Sequence, residues 1–103
     1  MAKGYWIGHV EVSNDEGYKP YAAANPGIFK KFGGKFIVRG GPFEAVFGSS
    51  RPHNVVLEFP SYQAALACYK SPEYQANIKV RKPHAIVDLL IIEGYDGPQP
   101  SSS

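Results

Sequence analysis

Apolar and polar residues alternate in four segments of the chain, and this pattern predicts four β-strands. The segments are residues 5–12, 35–39, 53–59 and 85–93. They are rich in β-branched and aromatic residues and are bounded by glycine, proline or serine, as strands usually are. In the first segment Trp6 lies on one face of the strand and Tyr5 on the other. We also expect the second strand to continue through residues 43–47, beyond a bend at residues 40–42.

Between the first two strands, apolar residues recur at helical spacing. Ser13 is followed three residues later by Glu16, which resembles a capping box and predicts a helix starting there or shortly after. Proline is disfavoured inside a helix, so we expect the main helix to begin near Lys19, with Pro20 in its first turn. The Pro26-Gly27 pair should then kink or break it.

A second helical region lies between the third and fourth strands. Ser61 is placed to cap its first piece, and Ser71 followed by Pro72 restarts a second piece that runs to about Arg81. The resulting β-α-β-β-α-β order predicts an α+β, ferredoxin-like fold, in which a four-stranded antiparallel sheet carries two helices on one face. We expect residues 1–97 to form one domain and residues 98–103 a C-terminal tail.

The side of the sheet turned away from the helices is unusually apolar. Tyr5, Ile7, Ile37 and Val56 alternate with the residues that face the helices, and the last strand is apolar on both sides. An apolar surface of this size needs cover, and the chain has no third layer to provide it. A second copy related by a two-fold axis is the natural cover, which predicts a homodimer.

Composition and charge narrow the function classes. The chain has 103 residues, of which 44% are hydrophobic, and a net charge of +2 with scattered basic residues. No basic stripe favours nucleic-acid binding, and no apolar run is long enough to span a membrane. The single cysteine, Cys68, excludes an internal disulfide and fits a reducing compartment. With no signal peptide evident, we expect a cytoplasmic location.

Three charged or titratable residues are candidates for catalysis. Strand parity places His9, Arg39 and Glu58 on one side of the sheet, with Glu58 between the other two. A carboxylate between a guanidinium and an imidazole can orient a proton-shuttling histidine. The alternative is a charge network at the dimer interface, where unpaired charges would be costly.

Aromatic residues form a second candidate set. A pocket for a planar organic ligand would use aromatic walls and tyrosine hydroxyls, and the alternative is ordinary core packing. Residues predicted to line the space between helices and sheet include Trp6, Tyr18, Tyr21, Phe29, Tyr62, Tyr69 and Tyr74. His53 and His84 stand beside prolines and are expected in surface loops. No histidine, cysteine or carboxylate spacing indicates a metal site, and no motif calls for a cofactor.

Several motifs together resemble a known family. They are residues 3–7 (KGYWI), 32–36 (FGGKF), 38–41 (VRGG), 58–61 (EFPS), 69–74 (YKSPEY) and the closing segment 87–98. In this order they are similar to domain-of-unknown-function family 1330. The resemblance implies the dimeric α/β-barrel superfamily, whose members include cofactor-free monooxygenases, lactone isomerases and haem-binding enzymes. A shared fold alone does not choose among these activities.

Two functions follow from these patterns. The leading hypothesis is a homodimer that binds a small, partly aromatic organic molecule in each subunit and acts as a cofactor-free oxygenase or isomerase. In it, His9 or a tyrosine serves as base and Arg39 steadies negative charge. The competing hypothesis is a non-catalytic module whose sheet residues serve only dimerisation.

Overall fold

The computed structural model describes residues 2–100 and shows helices packed on one side of a single antiparallel sheet. The elements are β1 (Gly4–Val12), α1 (Asp15–Lys31), β2 (Lys35–Arg39), β3 (His53–Phe59), α2 (Tyr62–Lys70), α3 (Pro72–Arg81), a 3-10 turn (Lys82–His84) and β4 (Ala85–Glu93). The sheet order is β2-β3-β1-β4. The predicted α+β, ferredoxin-like fold is confirmed. Residues 101–103 of the predicted tail lie outside the described residues.

Helix α1 begins earlier than expected and is not broken by its prolines. Its N-cap is Asn14, whose side-chain oxygen accepts a hydrogen bond from the Gly17 backbone N–H at 3.2 Å. The expected start near Lys19 is therefore wrong. Pro20 and Pro26 both lie inside α1 on its exposed side, where the pyrrolidine rings meet solvent rather than the sheet.

The second helical region divides where the sequence indicates. The Ser71 hydroxyl donates to the Cys68 carbonyl at 2.7 Å and accepts from the Tyr74 backbone N–H at 3.2 Å. The same side chain thus satisfies the end of α2 and the start of α3. Pro72 occupies the first position of α3, where its missing N–H costs nothing.

The core lies between the sheet and the three helices and is built around Trp6. Its indole N–H donates to the Ala65 carbonyl of α2 at 2.9 Å, and the side chain is 2% exposed. Cys68 is fully buried in this core, and burial raises the pKa of its thiol to about 12. The indole hydrogen bond therefore ties β1 to α2 at the centre of the fold.

Strand β2 contains an irregularity that changes which side its last residue faces. Phe36 pairs with Leu57, but Val38 pairs with Val56 and Arg39 with Val55, so one extra residue lies between Phe36 and Val38. A bulge of one residue reverses the facing of everything after it. Arg39 therefore shares the helix-facing side with Phe36, opposite to the side predicted from simple parity.

The chain between β2 and β3 forms an exposed loop, residues 40–52, instead of an extension of the hairpin. Gly40 takes a positive φ of 66°, which turns the chain away from the sheet edge. Residues 43–47 form no strand, so that expectation is wrong, and Phe47 at the loop tip is 97% exposed. Both ends of the loop, Arg39 and His53, remain anchored in the sheet.

Candidate functional site

A cavity of about 110 Å³ lies between α1 and the helix-facing side of the sheet. All four strands contribute to its floor, and Tyr74 of α3 closes one wall. An engineered protein cavity of roughly 150 Å³ holds benzene. This cavity is somewhat smaller and open to solvent at the Arg39 end, so it has room for one ring at most, and any larger part of a ligand would project from its mouth.

The floor of the cavity is apolar and has a gap at its centre. Trp6, Phe29 and Leu57 supply buried apolar surface. Gly8, in the middle of β1, also faces the cavity, and a Cβ there would make only ordinary contacts, with the Leu89 Cδ1 atom at 3.6 Å and the Val55 carbonyl oxygen at 4.0 Å. The backbone tolerates a side chain at this position, so glycine leaves open space that the fold does not require.

Two tyrosine hydroxyls meet in the wall of the cavity. The Tyr21 and Tyr74 oxygens are 2.5 Å apart, and both side chains are buried. Burial, reinforced by the adjacent Tyr21 hydroxyl, raises the pKa of Tyr74 above its usual value. Burial also raises the pKa of Tyr18, whose ring packs against Tyr21, to about 12. The Tyr18 and Tyr74 hydroxyls therefore stay protonated at neutral pH and act as hydrogen-bonding groups rather than bases.

An asparagine pair fixes the adjoining wall. The Asn77 side-chain NH₂ donates to the Tyr21 carbonyl at 3.1 Å and to the Asn25 side-chain oxygen at 2.9 Å. All three residues are buried, and Asn25 lines the cavity. With its oxygen occupied by Asn77, Asn25 presents its NH₂ group as the remaining donor.

Arg39 and His53 line the cavity where β2 and β3 meet the 40–52 loop. The Arg39 guanidinium stacks on the Phe36 ring with its carbon 4.1 Å from the ring centre, and the residue is exposed. The His53 ring packs so closely on Gly40 that a Cβ there would overlap it. The positive φ favours glycine at position 40, and a side chain there would displace the imidazole.

His53 was predicted to begin the third strand but was expected to be a surface residue. It is the first residue of β3, as predicted, but it is partly buried and lines the cavity. The alternation of side chains along the strand could have predicted this position. His53 lies two residues before Val55 and four before Leu57, so all three side chains point to the same side of the sheet.

The expected grouping of His9, Arg39 and Glu58 is not formed. His9 and Glu58 lie on the other side of the sheet, which we call the open face and which also carries Tyr5 and Ile7 of β1 and their neighbours on β3 and β4. His9 Nδ1 is 2.6 Å from the Asn54 side-chain oxygen, four residues away from Glu58 along β3. The β2 bulge puts Arg39 on the opposite side, so the predicted Arg39–Glu58 pair is wrong.

Glu58 instead belongs to a separate ionic group on the open face. Its carboxylate accepts a hydrogen bond from the Tyr5 hydroxyl at 3.2 Å and forms ion pairs with Lys35 at 3.2 Å and Lys3 at 3.8 Å. Partial burial opposes ionisation, but Lys35, Tyr5 and Lys3 together outweigh it and hold the pKa of Glu58 below its usual value. This carboxylate is therefore occupied by its own neighbours.

Five of the seven aromatic residues predicted to line the space between helices and sheet do line the cavity, and Tyr62 and Tyr69 do not. The five are Trp6, Tyr18, Tyr21, Phe29 and Tyr74. Tyr69 lies outside it, where its ring packs against Trp6 and Tyr74 at centroid distances of 6.0 and 5.7 Å. Within residues 2–100, no cluster of histidine, cysteine, aspartate or glutamate is arranged to hold a metal ion. None of the helices in that range has the length and apolarity needed to cross a membrane.

The family model for a domain of unknown function, DUF1330, matches residues 3–95. The chain belongs to the DUF1330 family. The match covers every strand and helix described above, so the cavity lies wholly within the DUF1330 domain. A comparison with curated proteins finds no match.

Solved structures with a similar fold include proteins of unknown function and one oxygenase. The RPA0582 protein of unknown function from Rhodopseudomonas palustris has a TM-score of 0.74 at 18% identity, over 93% of this chain and 85% of that one. SnoaB, a cofactor-independent oxygenase from Streptomyces nogalater, has a TM-score of 0.65 at 10% identity, over 100% of both chains. A dimeric ferredoxin-like protein of unknown function from Thermobifida fusca has a TM-score of 0.54 at 10% identity, over 88% and 92%. At these identities the DUF1330 chain shares their fold alone.

Proposed function

We propose that this DUF1330 protein binds a small organic molecule with one aromatic ring in the cavity between α1 and the sheet. The observation that carries the proposal is the convergence of polar groups on an apolar space. The Tyr21–Tyr74 hydroxyl pair, Asn25, Arg39 and His53 all border one cavity. Binding sites for small molecules typically combine apolar walls with a few placed polar groups in this way.

Gly8 adds a second line of support. A strand interior normally favours a side chain, because glycine weakens the strand and packs nothing. At Gly8 the space for that side chain exists and is left empty. An empty space on the cavity floor is better explained by a ligand that fills it than by packing.

Proton transfer is the chemistry that these residues support. Histidine is the commonest general base, and His53 replaces His9 as the base because it borders the cavity whereas His9 lies on the open face. Loss of a proton next to a carbonyl would give an enolate, whose charge Arg39 would stabilise. Return of the proton to another carbon is an isomerisation, and reaction of the enolate with O₂ is a cofactor-free oxygenation, the activity named for SnoaB.

We also propose that the protein is a homodimer joined through the open face. On β4 the residues Ile86, Leu90 and Ile92 point to that face and are 56%, 49% and 50% exposed. Exposed apolar surface of this kind on a sheet typically marks an interface. Sedimentation at micromolar protomer concentration should give a dimer for the native chain and a monomer for Leu90→Glu. A monomeric native chain would contradict this part of the proposal.

The single cysteine fits a reducing, cytoplasmic location. Cys68 is a free thiol with no exposed surface. Unpaired buried cysteines are common in intracellular proteins, whereas small secreted domains rely on disulfides.

The open face also supports the competing function, a non-catalytic dimerisation module. In that case the cavity would be a packing defect and no ligand would stabilise the protein. The two functions differ in whether compounds that fit the cavity raise the melting temperature, since a ligand that binds only the folded state stabilises it.

A thermal-shift screen of single-ring phenols, quinones and lactones tests the proposal. A compound present at one hundred times its Kd should stabilise the native protein by about 2.7 kcal/mol. Gly8→Val should abolish the shift by filling the cavity floor. Gly41→Val is the matched control, because Gly41 has open space around it in the 40–52 loop. Equal shifts in both variants, or none in the native chain, would contradict ligand binding in the cavity.

A further inference from the structure

We infer that the molecule bound in this cavity carries an anionic oxygen, a carboxylate or a phenolate, on its single ring. The inference rests on the proposed function and deepens it by naming the chemical class of the ligand. Its basis is an imbalance. The cavity walls offer hydrogen-bond donors and positive charge, and none of the lining residues is aspartate or glutamate.

The Tyr21–Tyr74 pair contributes one unused donor. Each hydroxyl has one proton, and a single hydrogen bond between the two oxygens uses only one of them. No acceptor for the second proton occurs among the side chains and backbone groups of residues 2–100 in hydrogen-bond range of either oxygen. A buried O–H group without an acceptor is unfavourable, so an oxygen of the ligand is the natural partner.

Asn25 contributes a second donor to the same wall. Its oxygen already accepts from Asn77, and Asn77 is anchored in turn to the Tyr21 carbonyl. This chain of hydrogen bonds fixes which end of the Asn25 amide is free, namely the NH₂ group. We refer to the Tyr21 and Tyr74 hydroxyls and the Asn25 NH₂ group as the donor wall.

Two arginines lie near the cavity, one lining it and one behind its wall. The Arg81 guanidinium carbon lies 5.3 Å from the centre of the Tyr21 ring, behind the donor wall. Its Nε is buried and has no hydrogen-bond partner in the described part of the chain, and no ion pair there involves Arg81. Arg39 stands at the exposed end. A negative charge on the ligand would be stabilised by both, whereas a cationic ligand would be repelled and find no carboxylate.

Ligand binding can be followed by tryptophan fluorescence, because Trp6 is the only tryptophan of the chain and lines the cavity. Quenching of its fluorescence by para-nitrophenol measures binding directly, with N-acetyltryptophanamide in place of the protein as the control for absorbed light. Benzoate and the neutral benzamide, which match in size, then compete for the site. The two compounds distinguish the two kinds of anionic oxygen, since para-nitrophenol tests for binding of a phenolate and benzoate tests for binding of a carboxylate.

We expect at least one of the two anions to be favoured about tenfold over its neutral form or analogue, the effect of one charge-assisted hydrogen bond. For benzoate, the preference is the ratio of its affinity to that of benzamide. For para-nitrophenol, a tenfold preference for the phenolate would lower the apparent pKa of the bound molecule by about one unit, which is measured from the visible absorbance of the phenolate.

Removal of the hydroxyls tests where the anion is held. Tyr21→Phe/Tyr74→Phe keeps the shape of the wall but loses both O–H groups, so the preference for the anion should fall to about twofold or less. Tyr69→Phe is the control, since Tyr69 lies outside the cavity, and it should leave the preference unchanged.

Two results would overturn the inference and are distinguishable from each other. If the native protein binds benzamide as tightly as benzoate and leaves the pKa of para-nitrophenol unchanged, the cavity binds rings but does not select anions, and the proposed function survives. If neither probe quenches Trp6 nor competes, the proposed function fails as well. The quenching and competition measurements use the native protein, so these outcomes do not depend on whether a variant folds.

Discussion

The hydroxyl pair of Tyr21 and Tyr74 makes a sharp prediction about stability. Either single change to phenylalanine removes one hydroxyl and leaves the other buried without its partner. One hydroxyl proton of the pair already lacks an acceptor in the native protein, so each single change loses the hydrogen bond without adding an unsatisfied donor, and such a bond contributes about 0.5–1.5 kcal/mol. Tyr21→Phe and Tyr74→Phe should therefore each destabilise the protein by about 1 kcal/mol in the absence of ligand.

The double variant should cost much less than the sum of the two single changes. When both partners of a buried hydrogen bond are replaced by apolar groups of the same shape, the loss is nearly neutral. A double-mutant cycle should thus show a coupling of at least about 1 kcal/mol between Tyr21 and Tyr74. Tyr69→Phe, outside the cavity, should change stability by less than either single variant.

Urea unfolding of the native protein and the variants at one protomer concentration measures the cycle. The midpoints should shift while the slope with denaturant stays constant, since the folded surface is unchanged. An additive cycle would contradict a hydrogen bond confined to the two hydroxyls. It would mean that each hydroxyl has another partner and that neither has a proton to spare for a ligand.

Three further predictions concern the sheet and the core. Arg39→Gln and Glu58→Gln should have additive effects on urea unfolding because the bulge puts them on opposite sides of the sheet, and strong coupling would restore the pair expected from parity. Gly8→Ala should stabilise the protein by about 0.4–1 kcal/mol, whereas Gly4→Ala, whose Cβ would overlap the Ser61 carbonyl, should destabilise it by about 1–3 kcal/mol; equal melting temperatures would contradict this contrast. Cys68, whose pKa is raised to about 12 by burial, stays protonated at pH 8 and should react with a thiol reagent only as fast as the protein unfolds, so labelling at the rate of a free peptide thiol would disprove its burial.

The strands and the helix break were predictable because local chemistry decides them. The β3 and β4 segments alternate or run apolar between clear turn residues, and their bounds match the structure. Ser71-Pro72 divides α2 from α3 because serine caps and proline begins helices in almost any context. The capping residues after β1 predicted the start of α1 correctly, whereas the expected start of the main helix near Lys19 was wrong because the exposed prolines are tolerated by a helix that Asn14 already caps.

The candidate site was predicted only in part, because it depends on the register of the sheet. Trp6 on its strand and Tyr21 and Tyr74 on their helices were identified from aromatic type, which does not depend on the register between strands. Arg39 was assigned to the wrong side because no residue type marks the bulge after Phe36, and one extra residue reverses the strand. His53 was passed over because it follows a proline at the very start of its strand, where a surface position is usual.

Binding of a single-ring ligand in the cavity between α1 and the sheet can be located residue by residue with ¹H–¹⁵N NMR of the native protein titrated with para-nitrophenol. We expect shifts concentrated at the Trp6 indole N–H, the Gly8 amide and the Asn25 side-chain NH₂, since all three residues border the cavity. Shifts confined to the open face around His9 and Asp88, or no shifts at any concentration, would contradict binding in the cavity.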